Sequence, residues 1–245
     1  MHPITNRVIQ TERIVLRQME MDDVDDLMGI FSDPVAMRFY PNTKSRQEAE
    51  EWVHRVQESY RDNGFGLWVA VLEDSGEFAG QCGLTVQEVE GKNEVEIGYL
   101  FLRRFWGRGL ATEAARAARD HGFHTLGYER LVSLIDPGNL ASRRVAEKVG
   151  LTMEREVEKW RKRICVYAIR KGGVATQFDP ARQRLSEFEL RWPAPVPPHR
   201  NRPVRRQLAG RREPDRTCGR AYLEFRDQAV TSGAPSPRAS VAAEP

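Results

Sequence analysis

A glycine turn between a predicted strand and a predicted helix limits the folds that this chain can adopt. Residues 104–109 read Arg-Phe-Trp-Gly-Arg-Gly and lie between an apolar run that ends near Leu102 and a helical pattern that begins near Leu110. Glycine lets a backbone approach a phosphate closely, and the first turn of a helix offers unpaired N–H groups at the positive end of its dipole. Arg104 and Arg108 add positive charge. The spacing favours a pyrophosphate-binding turn, while an ordinary tight turn accounts for Gly-x-Gly alone equally well.

The periodicity on either side of this turn predicts an α/β domain. A strand at 13–17 is followed by helices at 21–31 and 48–60, the second preceded by a capping box of Ser45 and Glu48. The later predicted elements are strands at 66–72, 76–89 and 93–102, a helix at 110–126, a strand at 130–136, a helix at 139–149, and strands around 155–160 and 164–169. This order predicts a mixed, mostly antiparallel central sheet flanked by helices.

The composition changes after residue 171. Ten of the 14 prolines lie in residues 172–245, where no Lys occurs. Residues 1–171 hold 25 Lys and Arg against 27 Asp and Glu, and residues 172–245 hold 13 against 8. We therefore expect a domain at 1–171 that folds by itself and a Pro/Arg-rich, mostly disordered tail at 172–245. The nearly neutral domain gives no electrostatic case for nucleic acid, so any contact with RNA or the ribosome is expected through the basic tail.

The sequence lacks the signals of membrane, secreted and metal-binding proteins. No run of 18 apolar residues occurs and no apolar signal core opens the chain, so we expect a cytoplasmic protein without a membrane partner. Cys82, Cys165 and Cys218 are odd in number and lack paired spacing, so we expect them to be reduced, the first two in strands. His121 and His124 have no further metal ligands nearby, so we interpret them as surface residues and expect no metal.

Two other phosphate-binding motifs are excluded. A Walker A loop needs Gly-Lys-Ser/Thr, which does not occur. Gly107-x-Gly109-x-x-Thr112 resembles the GxGxxG motif of dinucleotide-binding folds, and Asp136 stands where a ribose-binding acid would lie. However, residues 103–106 separate the strand from the glycines, and too little chain follows for the further βα units of a Rossmann fold.

Five segments, in family order, resemble GCN5-related N-acetyltransferases. Residues 104–109 match the Q/R-x-x-G-x-G/A pyrophosphate motif of that family, and their surroundings are similar to its ribosomal-protein alanine N-acetyltransferase branch. The similar segments are Thr-Glu-Arg-Ile-Val-Leu-Arg at 11–17, Ser-Asp-Pro-Val at 32–35, Glu-Ile-Gly-Tyr at 96–99, Trp-Gly-Arg-Gly-Leu-Ala-Thr-Glu-Ala at 106–114 and Asn-x-x-Ser-x-x-x-x-x-Lys-Val-Gly at 139–150. The resemblance runs from about residue 11 to about residue 170 and leaves out the tail.

The resemblance implies that acetyl-CoA is the cosubstrate. In the family, the strand before the glycine turn splays from the next strand, and the pantetheine arm pairs with its exposed backbone like an added strand. A backbone N–H of the same strand would hold the oxyanion of the tetrahedral intermediate. The residues implied to contact the coenzyme are Phe101, Leu102, Arg104, Trp106, Gly107, Arg108, Gly109, Leu110, Ala111, Asn139 and Ser142, with Phe101 and Leu102 as the exposed edge.

Glu96 and Ser142 are the candidate catalytic residues. Glu96 precedes the glycine turn on the central strand and would take the proton of the amine, directly or through water, or else would face solvent or pair with an arginine. Many family members have a tyrosine acid seven residues after the asparagine that matches Asn139, but this chain has Ala146. The resemblance then leaves Ser142 to touch the sulfur or the pantetheine. Ser142 as a surface hydroxyl and Asn139 as a helix cap are the structural alternatives.

The sequence thus predicts an acetyl-CoA-dependent N-acetyltransferase that acts on a primary amine through a ternary complex. The acceptor is a protein N-terminus or a small-molecule amine, set by loops such as 39–46, and the enzyme is a monomer or a homodimer. The alternative is a non-catalytic sensor or interaction module that binds acetyl-CoA, which the missing tyrosine leaves open. Trp52 and Trp68 are expected in the core or in a pocket wall, and residues 159–163 in a solvated turn.

Overall fold

Within residues 6–172, eight strands form one sheet that is antiparallel except for one pair. The computed structural model describes these residues, so the expectations for Cys218 and for the tail from residue 173 lie outside the described part. The strands are β1 (Arg7–Gln10), β2 (Ile14–Arg17), β3 (Leu67–Leu72), β4 (Phe78–Val89), β5 (Lys92–Phe101), β6 (Arg130–Ile135), β7 (Thr152–Lys159) and β8 (Lys162–Arg170). Their order in the sheet is β1-β2-β3-β4-β5-β6-β8-β7, and β5 and β6 are the parallel pair.

Helices flank this sheet and begin at the predicted caps. In residues 6–172 they are α1 (Val24–Phe31), α2 (Arg46–Asn63), α3 (Leu110–His124) and α4 (Leu140–Val149), and none is long and apolar enough to cross a membrane. The Ser45 side chain accepts a hydrogen bond from the backbone N–H of Glu48, and the Glu48 carboxylate accepts one from the backbone N–H of Ser45. The Asn139 side chain accepts one from the backbone N–H of Ser142 at 3.1 Å. Both predicted caps are confirmed, and both satisfy N–H groups that have no partner inside the helix.

The core lies between β3–β5 and the apolar faces of the helices. Buried residues of α2 and α3 pack into it: Ala49, Val53, Val56, Ala114, Ala115 and Ala118. Trp68 is buried, and its ring meets the His121 ring edge-on with 5.3 Å between centroids. His121 is thus half-buried, which lowers its pKa, so the prediction of a surface residue holds for it only in part, whereas His124 is exposed as predicted. Cys82 and Cys165 are buried in β4 and β8, which confirms their predicted place in strands.

The predicted strands and helices are present, with small differences in their bounds. The predicted helix at 21–31 divides into a 3₁₀ turn at Met21–Asp23 and α1. Strand β1 was not predicted, because its sequence Arg-Val-Ile-Gln shows neither the alternation nor the longer apolar run of a strand. Its position beside β2 extends the sheet by one antiparallel strand.

The pairing of β5 with β6 stops early and opens a gap in the sheet. Among the described residues, Glu96 and Val132 are the one pair in register between these strands. Beyond Glu96, β5 continues along β4 as far as Phe101, while β6 continues along β8. The two strands therefore diverge, and the gap between them is where the candidate site lies.

Candidate active site

The glycine turn has the backbone that the sequence predicts. Gly107 and Gly109 have φ angles of +75° and +82°, a left-handed conformation that side chains rarely adopt. Gly109 is the N-cap residue of α3, so the unpaired N–H groups of the first turn of α3 follow directly. A Cβ atom at Gly107 would meet nothing within 4 Å. The backbone conformation, and not crowding, therefore requires glycine at this position.

A groove of about 410 Å³ opens between the diverging ends of β5 and β6 and the starts of α3 and α4. The groove brings together most of the predicted site residues: it is lined by Glu96, Phe101, Trp106, Gly107, Gly109, Leu110, Ala111, Asn139 and Ser142. Two helix starts and a glycine turn place several backbone N–H groups along one wall. Such a wall is suited to an elongated ligand that carries phosphate groups.

Three predicted coenzyme contacts lie outside the groove. The backbone N–H of Leu102 donates to the Ala79 carbonyl at 2.9 Å, so it faces β4 and not the open edge. Arg104 forms an ion pair with Glu77 at 2.8 Å, and the Arg108 guanidinium lies 5.3 Å from the centre of the Phe105 ring. Both arginine side chains are thus held by neighbours on the protein surface.

Tyr99 and Phe101 provide the open backbone edge of β5. Backbone groups alternate between the two sides of a strand, so those of Tyr99 and Phe101 face away from β4 if those of Leu102 face towards it. The Ile97 carbonyl agrees with this alternation, because it accepts a hydrogen bond from the Ser133 hydroxyl on β6 at 2.9 Å. The Phe101 carbonyl accepts one from the Trp106 indole at 2.8 Å. The edge therefore includes Phe101, as expected, but Tyr99 takes the place of Leu102.

Several basic side chains in the groove were not predicted. Arg38, Arg144, Lys148 and Lys162 line it. The Lys162 ammonium contacts an Asp136 carboxylate oxygen at 2.8 Å and the Phe39 carbonyl at 3.0 Å. Asp136 therefore forms an ion pair with Lys162. This contact gives Asp136 a structural role, so its position no longer supports a dinucleotide-binding fold with a ribose-binding acid there.

The segment at 159–163 forms the predicted turn, but two of its side chains face the site. Trp160 and Arg161 have φ angles of +53° and +57°, so they make the two-residue connection between β7 and β8. Trp160 and Lys162 line the groove. The run of charged residues predicted a solvated turn and gave no sign of these two contacts, because the direction of each side chain depends on its position in the hairpin.

An ion pair anchors the glycine turn to the connection between β1 and β2. The Glu113 carboxylate accepts hydrogen bonds from the Thr11 hydroxyl at 2.7 Å and the backbone N–H of Arg13 at 2.9 Å, and it pairs with the Arg13 guanidinium at 2.6 Å. The same guanidinium donates to the Arg108 carbonyl at 3.0 Å. Partial burial opposes ionisation of Glu113, but these hydrogen bonds and the charge of Arg13 outweigh it, so the pKa of Glu113 is lowered. Helix start and turn are thus held in one position relative to the sheet.

Glu96 stands where β5 and β6 part. One of its carboxylate oxygens accepts a hydrogen bond from the backbone N–H of Leu134 at 3.1 Å. If the pairing of β5 with β6 continued, this N–H would instead donate to a backbone carbonyl of β5. Glu96 is partly exposed and lines both the groove and a second, smaller cavity. This hydrogen bond gives Glu96 a structural role, and its place in the lining of both cavities keeps it the candidate base.

The second cavity, which we call the side cavity, has a volume of about 120 Å³ and shares lining residues with the groove, namely Tyr40, Glu96, Gly98, Tyr99, Leu100, Leu134 and Trp160. Its walls come from α1, the segment at 37–44, α2, β3, β4, β5, β6 and the β7–β8 turn. The lining residues include the aromatic Phe31, Tyr40, Trp52 and Trp160 and the polar Lys44, Arg55, Gln81 and Thr85. Trp52 is thus in a pocket wall, one of its two expected places.

Tyr99 and Ser142 form a pair of hydrogen-bonded hydroxyl groups in the groove. The sequence alone does not predict this pair. The Tyr99 hydroxyl donates to the Ser142 carbonyl at 2.9 Å and accepts from the Ser142 hydroxyl at 3.2 Å. Burial raises the pKa of Tyr99. Ala146, at the position of the family tyrosine, is buried in the core. Tyr99 belongs to the segment Glu-Ile-Gly-Tyr at 96–99. The sequence gives no sign that Tyr99 contacts α4, because this contact depends on the divergence of β5 and β6.

Comparison with known proteins identifies similar chains along most of the described part. Residues 13–152 match the family model described as acetyltransferase (GNAT) domain. The chain is 46% identical over 158 residues to the uncharacterized protein YkkB of Bacillus subtilis (strain 168), a match that covers 64% of this chain and 92% of YkkB.

Solved structures share the fold. A crystal structure of an acetyltransferase from Agrobacterium tumefaciens str. C58 is 27% identical, with a TM-score of 0.59, and the match covers 66% of this chain and 94% of that one. RimL, a ribosomal L7/L12 alpha-N-protein acetyltransferase in complex with coenzyme A, is 17% identical, with a TM-score of 0.57 and coverage of 69% and 99%. The second likeness supports the fold alone.

Proposed function

The chain belongs to the GNAT acetyltransferase family, and on this basis we propose that it transfers the acetyl group of acetyl-CoA to a primary amine within a ternary complex. The observation that carries the proposal is the position of Glu96, which lines both the groove and the side cavity. A carboxylate at the junction of two cavities can accept a proton from an amine in one that reacts with a thioester in the other. The groove then binds the coenzyme, and the side cavity binds the acceptor.

The groove offers an open strand edge, a glycine turn and basic side chains to acetyl-CoA, which supplies an activated thioester. Gly107, Gly109 and the first turn of α3 would hold the pyrophosphate through backbone N–H groups. Arg144 and Lys148 offer positive charge on α4 to the remaining phosphate. The proposed pyrophosphate site therefore depends on the backbone, since Arg104 and Arg108 are directed elsewhere.

The proposed reaction joins the amine nitrogen to the thioester carbonyl carbon and breaks the carbon–sulfur bond. Glu96 would accept one N–H proton as the new bond forms, and its hydrogen bond from Leu134 would keep the carboxylate oriented. A backbone N–H on the open edge of β5, from Tyr99 or Phe101, would stabilise the oxyanion of the tetrahedral intermediate.

The departing sulfur would receive its hydrogen bond from the Tyr99–Ser142 pair. Because burial raises the pKa of Tyr99, the phenol keeps its proton at neutral pH and acts as a hydrogen-bond donor instead of a base. The Ser142 hydroxyl lies 3.2 Å from the Tyr99 oxygen and would turn from it towards the sulfur. This pair would replace the tyrosine that is absent at Ala146.

An acceptor screen tests the proposal. The full chain is incubated with acetyl-CoA and a panel of primary amines that includes amino acids, diamines, amino sugars and short peptides, and the release of free thiol is followed. We expect at least one amine to give turnover that depends on both substrates, with the product acetylated at nitrogen. Binding of acetyl-CoA without turnover of any amine would favour the sensor alternative, and absence of binding would contradict the assignment of the groove.

A further inference from the structure

The side cavity has two ends that are separated along the sheet. Its floor includes side chains from one face of two neighbouring strands, where Thr85 pairs with Glu96 and Gln81 pairs with Leu100. These two pairs are four residues apart, which corresponds to about 13 Å along a strand. Glu96 thus marks one end of the floor and Gln81 marks the other, and the boundary with the groove runs along β5 from Glu96 to Leu100.

Two cations lie at the Gln81 end. The Trp52 indole donates a hydrogen bond to the Gln81 amide oxygen at 3.0 Å, which fixes the ring over this end of the floor. The Lys44 ammonium lies 5.7 Å from the centre of the Trp52 ring, and the Arg55 guanidinium lies 5.9 Å from it. Lys44, Trp52 and Arg55 all line the cavity, so we call these three residues the cationic end.

One acidic side chain accompanies the cationic end. Glu48 also lines the cavity, but its carboxylate accepts hydrogen bonds from the Ser45 N–H at 2.6 Å and the Ser45 hydroxyl at 2.8 Å. Its charge therefore serves the start of α2. Of the charged side chains that line this end, two are cationic and one is anionic, so the lining is net positive here, while Glu96 lines the other end.

This separation of charge selects among acceptors. A polyamine would place its second cation near Lys44 and Arg55 and would be repelled, because like charges at such distances oppose binding. An anionic group would instead find a guanidinium, whose planar fork matches a carboxylate or a phosphate. We propose that the acceptor is a small primary amine that carries an anionic group remote from its nitrogen. This inference rests on the proposed function, since it assumes that the amine lies beside Glu96.

Amines of equal length but different end groups test the inference. With acetyl-CoA and the full chain, we compare 6-aminohexanoate, hexylamine and hexane-1,6-diamine by thiol release. We expect kcat/KM to be highest for 6-aminohexanoate, roughly tenfold or more above both other amines. O-phosphoethanolamine, the C-terminal amide of Ala-Glu and 6-aminohexanoate itself then distinguish a phosphate, an acidic peptide and a free amino acid as the source of the anion, with the C-terminal amide of Ala-Lys as the basic counterpart. Preference for the diamine, or for the Ala-Lys amide over the Ala-Glu amide, would overturn the inference.

Substitutions at the cationic end should act on binding of the anionic acceptor. We expect Arg55→Gln and Lys44→Gln to raise the KM for 6-aminohexanoate by roughly tenfold to a hundredfold, with kcat and the KM for hexylamine little changed. Arg46→Gln is the matched control, because Arg46 lies on the same helix and pairs with Asp25 and Glu50 outside the cavity. Equal effects of Arg55→Gln on both amines would overturn the inference.

A binding measurement separates this inference from the proposed function. We titrate the full chain, saturated with coenzyme A, with 6-acetamidohexanoate and with N-hexylacetamide by calorimetry. Tighter binding of the anionic compound, lost in Arg55→Gln, supports the inference even if no amine in the screen is acetylated. Turnover of amines combined with equal binding of the two compounds contradicts the inference and leaves the proposed function intact.

Discussion

The groove and the side cavity meet at Glu96 but are built in different ways. The groove includes short continuous segments whose backbone is assigned a binding role, namely the open edge of β5, the glycine turn and the starts of α3 and α4, and residues at 35–40, 133–136 and 160–164 complete it. The side cavity is lined by residues from α1, the segment at 37–44, α2, four strands and the β7–β8 turn. A binding site made of backbone depends on a few residues that permit its conformation, whereas one made of side chains changes with each substitution. The proposed coenzyme site is therefore encoded by a local sequence motif, whereas the proposed acceptor site depends on the packing of distant residues.

Replacement of Glu96, the acidic residue that lines both regions, should have the largest effect. We expect Glu96→Gln to lower kcat by roughly 10²- to 10⁴-fold, because the amide does not accept the amine proton. The amide oxygen can still accept the hydrogen bond from Leu134, so the divergence of β5 and β6 should persist. Acetyl-CoA affinity, measured by calorimetry, should stay within about twofold.

Glu94→Gln is the control for this substitution. Glu94 lies two residues earlier on β5 and pairs with Arg130 at 3.2 Å, outside both cavities. We expect its kcat to match that of the wild type. Near-full activity of Glu96→Gln would mean that the amine binds already neutral or loses its proton to water, and the two regions would then share a boundary but no catalytic group.

The backbone character of the groove is tested at Gly109. We expect Gly109→Val to weaken acetyl-CoA binding at least tenfold, because a β-branched residue opposes a φ of +82° and shifts the N–H groups of the turn. Gly127→Val is the matched control, since Gly127 has a φ of +75° and open space around it but does not line the groove. Each variant should lose about 2 kcal/mol of stability in urea unfolding. Equal acetyl-CoA affinity in the two variants would show that the turn does not bind the pyrophosphate.

The same contrast explains what the sequence could predict. Periodicity, caps and the glycine spacing are local, so the sheet, the helices and the turn followed from them. The side chains of Arg104 and Arg108 lie beside the groove and not in its lining, which the sequence could not show, because a motif gives the position of a side chain along the sequence but not its direction. Arg104 is directed to Glu77, which lies 27 positions earlier in the sequence.

The acceptor side required contacts that no local pattern contains. The pair of Trp52 and Gln81 joins a helix to a strand, and the pair of Tyr99 and Ser142 joins β5 to α4. Periodicity assigned Trp52 to the apolar face of its helix, but a helical pattern does not predict which strand residue that face contacts. Only the divergence of β5 and β6 makes Tyr99 part of a site.

The Tyr99–Ser142 pair should contribute less than Glu96. We expect Ser142→Ala to lower kcat by roughly tenfold or less, since a water molecule can replace the hydroxyl and a thiolate is a good leaving group. Tyr99→Phe should have a similar effect if the two hydroxyls act as one donor, and the double variant should then cost little more than either alone. A larger loss in Tyr99→Phe than in Ser142→Ala would assign the hydrogen bond to the phenol. Additive losses would mean that the two hydroxyls act separately.

The smallest expected effect concerns the side chains that hold the backbone of the groove. The lowered pKa of Glu113 means that its ionised form stabilises the folded state above the unfolded pKa of roughly 4.3, and this contribution is lost as the pH falls through the lower folded pKa. We therefore expect Glu113→Gln to cost about 1 kcal/mol in urea unfolding at pH 7 and progressively less below about pH 4.5. Acetyl-CoA affinity at pH 7 should fall a few-fold, because Arg13 would no longer be fixed against the Arg108 carbonyl.

Glu77→Gln, in an exposed pair with Arg104, should change stability by less than about 0.5 kcal/mol and leave the affinity unchanged. A stability loss in Glu113→Gln that is independent of pH would attribute the anchor to packing and not to charge, and an unchanged affinity would mean that the turn keeps its conformation without support from any side chain.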